Sequence, residues 1–198
     1  MGLNLTYRDG QTLLDEDERE GLLISTITNR AELDEFEQLN IEDAILWSIA
    51  KRWTIHYLLT EEMICTIHQQ MFGRVWSWAG TFRRSNKNIG ADYWQIGIHL
   101  KQLLDDVVFW YAHKTYGADE ITLRCKHRLV SIHCFANGNG RHSRLFADLL
   151  AEKIFKLPAY TWGAYLKLGK EQIRQSYLSA LREADKGNYE PLLEFARS

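Results

Sequence analysis

The stretch His133-Cys-Phe-Ala-Asn-Gly-Asn-Gly-Arg-His-Ser-Arg144 governs how the rest of the chain is read. Before it, Leu129, Val130, Ile132 and Phe135 carry helical spacing, and Asn137-Gly-Asn-Gly140 breaks it. After it, Leu145, Phe146, Leu149, Leu150 and Ile154 resume that spacing. The sequence therefore predicts a helix, a tight turn and a second helix. Gly138 and Gly140 lack a Cβ and accept positive φ, so the turn can bring backbone N–H groups close to a ligand. The second helix adds its free N-terminal amides and the positive end of its dipole. Arg141 and Arg144 share a face of that helix, and each offers a planar fork of donors suited to phosphate oxygens.

His133 stands just before this anion-sized turn, where a neutral imidazole can take a proton from a hydroxyl. The plainer reading of each part stays open. His133 could cap a helix end, the glycines could form an ordinary αα-turn, and Arg144 could pair with Asp148 one helical turn away. Each alternative accounts for one feature. A phosphate site beside a proton acceptor accounts for them together.

Outward from the turn, the periodicity is mostly helical. Ile41, Ile45, Ile49 and Trp53 recur every four residues and predict a core helix. Thr60 with Glu61 and Glu62 opens a second, carrying Met63, Ile64, Ile67 and Met71 to a stop at Gly73. Leu100, Leu103, Leu104, Val107, Val108 and Tyr111 form an amphipathic face, and Ile121 leads into the motif helix. Thr81 to Ser85 and Tyr93 to Ile98 read as short strands around the turn-rich segment 86–92. Trp94, on the return strand, could flank a bound target but is expected rather to pack beneath this hairpin, and Arg83, Arg84 and Lys87 make a local basic patch.

At 198 residues, 45% hydrophobic and 25% charged, the chain can bury a substantial core. A net charge of −2 gives no global attraction to nucleic acid or to anionic membrane, so neither is expected as a partner. Cys65, Cys125 and Cys134 lack metal-site spacing, and no stretch resembles a signal peptide or a membrane span, which points to the cytoplasm. Met1-Gly-Leu-Asn-Leu-Thr6 fits the loose N-myristoylation pattern, but without a polybasic neighbour chance explains it better.

The segment 133–144 resembles the Fic motif, His-x-Phe-x-Asp/Glu-Gly-Asn-Gly-Arg-x-x-Arg, with His133, Phe135, Gly138, Asn139, Gly140, Arg141 and Arg144 in register. It is similar in particular to the mobile mystery protein B branch of that family. Trp78-Ala-Gly-Thr-Phe-Arg83 and the hairpin after it resemble the family's flap, and the stretch 177–195 its closing helices. The resemblance implies a mainly α Fic fold, a helical bundle with a β-hairpin flap over the active site. It implies a Fic domain over residues 44–198, preceded by an N-terminal arm, 1–43.

It also implies roles. His133 would be the general base that deprotonates a Ser, Thr or Tyr hydroxyl of a target protein docked on the flap, with ATP as donor of AMP. Gly138, Asn139, Gly140, Arg141 and Arg144 would hold the phosphates. Ile89, Gly90, Ala91 and Asp92 would lie on the flap near the nucleotide, and Tyr177 and Asp185 at the edge of the adenosine pocket. Asn137 departs from the pattern, since relatives carry an acid there that helps hold Mg2+. A neutral amide oxygen weakens that site. Transfer of another phosphate-containing group, or a catalytically weak nucleotide-binding partner module, therefore stands as an alternative. Finally, Thr28-Asn-Arg-Ala-Glu32 has the spacing of the family's inhibitory helix, with Glu32 as its acid and Glu35 and Glu37 as nearby substitutes. An ordinary acidic helix accounts for the same residues. A regulatory or homo-oligomeric partner stays open.

Overall fold

The computed structural model describes residues 12–198; the Met1–Thr6 pattern lies outside them. After a short helix α1 (Glu16–Glu20) comes the long α2 (Arg30–Ile49), whose start is capped by the Asn29 side chain accepting from the amides of Ala31 and Glu32. A single turn, α3 (Ile55–Leu58), leads to α4 (Glu61–Phe72), which Thr60 caps as expected and which Gly73 ends. Helices α5 (Ile96–His113) and α6 (Ala118–Ile132) form an antiparallel pair. The helix α7 (Asn139–Leu149) continues as a π-helical turn through Phe155, and α8 (Lys170–Asp185) and α9 (Glu190–Arg197) close the chain. The fold is mainly helical, as the sequence implies.

Its main core is built from α2, α4, α5 and α6, where Met63, Ile64, Ile67, Met71, Leu100, Leu103 and Val107 are buried as their spacing predicts. A smaller cluster, with Leu123, Ala147, Ala180, Leu192 and Phe195, joins α8 and α9 to α6 and α7. The cleft described below opens between them.

Several expectations differ from the structure. The hairpin is absent: residues 81–92 are an irregular loop, Tyr93–Gln95 form a 3-10 turn, and α5 begins at Ile96. Asn86 and Asp92 explain this, because the Asn86 side chain accepts from the Tyr93 amide and donates to the Asp92 carboxylate, closing the loop on itself. A strand through Tyr93 would need that amide for a ladder. The loop's one strand-like contact is a bridge from Phe82 to Phe135. Trp94 does not pack beneath anything; it is 61% exposed and edges against Tyr93.

The four-residue repeat on α2 also marks the wrong stripe. Ile45 and Ile49 are exposed, and the buried face is Leu33, Glu37, Asn40, Ile41, Ala44 and Ser48. Polar residues on that face bond across to neighbours: Asn40 donates to the Gln70 carbonyl and accepts from the Arg74 amide. The boundary drawn between residues 43 and 44 falls inside α2, which packs along α4.

Candidate active site

Helix α6 ends earlier than the glycines suggest. His133 itself takes the left-handed conformation, φ 58, and its amide closes back on the Leu129 carbonyl at 3.4 Å. Such a conformation is strained for a residue with a Cβ and needs support from its surroundings. That support is Arg83, whose Nε donates to the His133 carbonyl at 2.7 Å, while its other nitrogens donate to the carbonyls of Ser85 and Ala91. Arg83 is thus buried and is no part of an open basic patch. Nor is Lys87 free, since it pairs with Glu18 at 2.5 Å and Asp15 at 2.8 Å.

The turn is locked from inside. Asn139 uses its whole side chain on Phe135, accepting from the amide at 3.0 Å and donating to the carbonyl at 2.8 Å. Phe135 is fully buried and stacks on His68 with ring centroids 3.7 Å apart. His68 Nδ1 accepts from the Gly80 amide at 3.0 Å, which leaves Nε2–H to donate to the Asn137 carbonyl, also at 3.0 Å. Burial, with His142 beside it, holds the His68 imidazole well below its ordinary pKa, so the ring stays neutral. At Gly138, φ is 77 and an added Cβ would lie 2.6 Å from the Phe72 ring, so glycine is required there. Helix α7 then starts with its first amides facing the turn.

These pieces line a cleft of about 550 Å³. That size suits a nucleotide-sized ligand. His133, Asn137, Gly138, Asn139, Gly140, Arg141 and Arg144 line it together, joined by Ile89 from the loop and Tyr177 from α8. His133 is 4% exposed, and burial, aided by the Arg83 guanidinium, pushes its pKa down to about 4. At neutral pH it is an uncharged proton acceptor. Its Nε2 lies 2.8 Å from the Thr12 hydroxyl. The arginines face different walls. Arg141 stands over the Phe72 ring and 2.7 Å from Glu37 Oε2, at an angle outside hydrogen-bond geometry. Arg144 donates to the Gly140 carbonyl at 3.3 Å and leans toward the Tyr177 ring. Asp148, the alternative partner of Arg144, instead accepts from the Tyr160 amide and the Trp162 indole.

Residues 58–151 match the model of the Fic/DOC family. That stretch, just under half of the chain, is similar to Fic/DOC domains. Solved structures of similar fold include Fic-1 (residues 134–508) from C. elegans, with a TM-score of 0.68 and 19% identity over 90% of this chain and 51% of that one. The chain thus spans about half the length of that protein. BepC from Bartonella tribocorum, with bound AMPPNP, gives a TM-score of 0.65 and 18% identity over 92% of this chain and 97% of that one. The N-terminal Fic domain of a VirB-translocated effector from Bartonella quintana, with bound ADP, gives 0.64 and 19% over 87% and 86%. The narrower likeness to the mobile mystery protein B branch goes beyond what these matches carry.

Some expected residues lie elsewhere. Gly90 and Ala91 pack on the end of α6 beneath the cleft wall: an added Cβ at Gly90 would meet the His133 Cβ at 2.6 Å, and the Ala91 amide donates to the Ile132 carbonyl. Asp92 is held by Asn86, away from the cleft. Asp185 accepts from His127 Nε2 at 2.8 Å rather than edging the pocket. Glu32 accepts from the Thr28 amide and hydroxyl at the start of its own helix, which keeps it from the arginines. Glu37, 2% exposed, is the acid from α2 that reaches Arg141.

The residues present do not fit a protein-held Mg2+. Among the described residues no group of three or more His, Cys, Asp or Glu is placed to hold a metal ion. Asn137 Oδ1 is uncharged and already accepts from the Gly138 amide at 2.6 Å. Sequence reasoning missed His68, Thr12, Arg30 and Lys170, the last three of which line the cleft. It also missed Lys126, buried under Tyr177 with its ammonium donating to the phenol and held well below its ordinary pKa by burial. Among the described residues no helix is long and apolar enough to cross a membrane.

Proposed function

We propose that this chain is a Fic-type protein adenylyltransferase, moving AMP from ATP to a Ser, Thr or Tyr hydroxyl of a target protein. The observation that carries the reading is the single cleft in which a neutral His133 shares space with the α7 N-terminus, Arg141 and Arg144. His133 Nε2 takes the proton of the acceptor hydroxyl, whose oxygen forms a bond to the α-phosphorus as pyrophosphate departs. Backbone amides from Gly138 to Gly140 and the guanidinium groups stabilise the charge that develops on the phosphate oxygens. Arg144, leaning on Tyr177, and Arg141, beside Phe72, divide this work across two walls of the cleft. Ile89 at the cleft and the exposed Tyr93 and Trp94 beyond it mark the side from which a target would approach. Gly90, Ala91, Asp92 and Asp185 take no part in this reading, and the cytoplasm remains the proposed compartment.

Asn137 favours a second reading. Its neutral, already engaged oxygen adds nothing to the hold on a cation, which suits a nucleotide-binding module with little turnover, or a donor other than ATP. Incubation with α-labelled and γ-labelled ATP in Mg2+ or Mn2+ separates the readings. Protein label from the α-position alone, reduced at least a hundredfold in His133→Ala, is the expected result. Nucleotide binding without protein label would leave the module.

A further inference from the structure

We propose that Thr12 is an intramolecular acceptor of the nucleotidyl group, so that the protein modifies its own N-terminal segment. The inference rests on the transfer reading above and names one substrate of the same site.

The Thr12 hydroxyl lies 2.8 Å from His133 Nε2, across 121 positions of sequence, and both side chains are buried. This is the distance at which a general base takes a proton. Thr12 also lines the same cleft as Gly138, Gly140, Arg141 and Arg144, the residues that would hold the phosphates. Other buried hydroxyls behave differently: Thr122 donates to the Ala118 carbonyl and Ser143 to the Gly140 carbonyl on their own helices. Thr12 has as its partner the group that would activate it.

The segment behind Thr12 is fastened. Leu14 is buried in the main core, and the Asp15 carboxylate accepts from the Ser85 hydroxyl at 2.6 Å and from Lys87 at 2.8 Å. Further along, the Trp78 indole donates to the Glu18 carbonyl at 2.9 Å, and the Leu23 amide donates to the Val75 carbonyl at 2.9 Å. A hydroxyl tethered this way meets the base as an intramolecular partner, which raises its effective concentration far above that of a free protein. In the step, the Thr12 proton passes to Nε2, a bond forms between Thr12 Oγ and the α-phosphorus, and the bond from that phosphorus to the bridging oxygen breaks. The products are a nucleotide phosphodiester on Thr12, pyrophosphate and a proton returned to water. Until then, Thr12 holds the face of His133 that a target hydroxyl needs.

The test uses the whole chain with α-labelled ATP, alone and with a lysate as acceptor pool, followed by peptide mapping by tandem mass spectrometry. Wild type, T12S, T12A and H133A are compared. Label at position 12 is expected in wild type and T12S, at a rate independent of protein concentration, and absent in H133A. T12A should lose at least nine-tenths of self-label and gain several-fold in lysate labelling. Wild type that labels lysate proteins but never position 12, or T12A that labels itself as fast as wild type, overturns the inference and leaves the transfer reading standing. A chain that binds ATP yet labels nothing removes the transfer reading, and this inference with it.

Discussion

The two walls of the cleft are built on different terms. On the inner wall, from His133 through α7, the buried polar side chains bond mainly to backbone: Asn139 to Phe135, His68 to Asn137 and Gly80, His142 to Ile64, Arg83 to His133. On the outer wall, from Thr12 and α2, side chains meet functional groups of the inner wall instead: Thr12 meets His133, and Glu37 meets Arg141. One wall fixes a shape. The other occupies it, so disturbing the first should cost stability and disturbing the second should change activity.

The largest effect expected is on the inner wall, from acid. Burial pushes both His133 and His142 down to about 4, so each stays neutral in the fold where an unfolded histidine would protonate near 6.5. The sign follows: stability is fully present above about 6.5 and falls as pH drops toward about 4, by on the order of 3 kcal/mol for each ring. Urea unfolding at pH 7.5, 6, 5 and 4.5 should show this slope, and a flat profile would refute it. Transfer activity should keep its basic-form plateau to well below pH 6.

Next comes His68→Ala, which removes a fully buried ring, its stack on Phe135 and the link from Gly80 to Asn137. A loss of about 3 kcal/mol is expected, from cavity and unmet hydrogen bonds together. Thermal unfolding measures it. A change below about 1 kcal/mol would mean that the turn does not depend on this ring.

The contrast also explains what was legible in the sequence. The inner wall was readable because its pieces are consecutive: a histidine, two glycines and two arginines at fixed spacing dictate a turn and a helix start. Even there, Arg83 and His68 were obscure, because a buried cation bonded to carbonyls and a histidine bonded at both nitrogens look like any other in one dimension. The outer wall was nearly illegible. Glu37 stood out only as a substitute for Glu32, because it is buried among apolar positions and accepts from Trp76, while the repeat of α2 points to the exposed Ile45 and Ile49. The loop 81–92 failed for another reason: Asn86 satisfies it locally, and local bonds override strand propensity.

A smaller effect is expected at the turn itself, in Asn137→Asp. The new carboxylate can still accept from the Gly138 amide, so the backbone should not move. It adds an anionic oxygen of the kind a hard divalent cation prefers, and a rise of about tenfold in Mg2+-dependent transfer is expected. Without a divalent cation the same charge repels the triphosphate and should weaken ATP binding. Transfer rate against Mg2+ concentration tests both; identical titrations for the two proteins would count against any cation at this turn.

The smallest effect expected is on the outer wall, at Glu37. Glu37→Gln can keep the bond from the Trp76 indole, 2.6 Å long in the native protein, but loses the charge beside Arg141. Removing one partner of a buried pair usually costs stability because the other charge stays buried. Here Arg141 is partly open to the cleft and has phosphate as an alternative partner, so the loss should be about 1 kcal/mol in the free protein and should shrink when ATP binds. ATP affinity should correspondingly tighten by roughly fivefold, since Arg141 no longer has to leave a carboxylate. Calorimetric titration of both proteins gives the comparison. If Glu37→Gln binds ATP no better than wild type, then the outer wall contributes shape at this point, as the inner wall does, and the distinction between them holds only at Thr12.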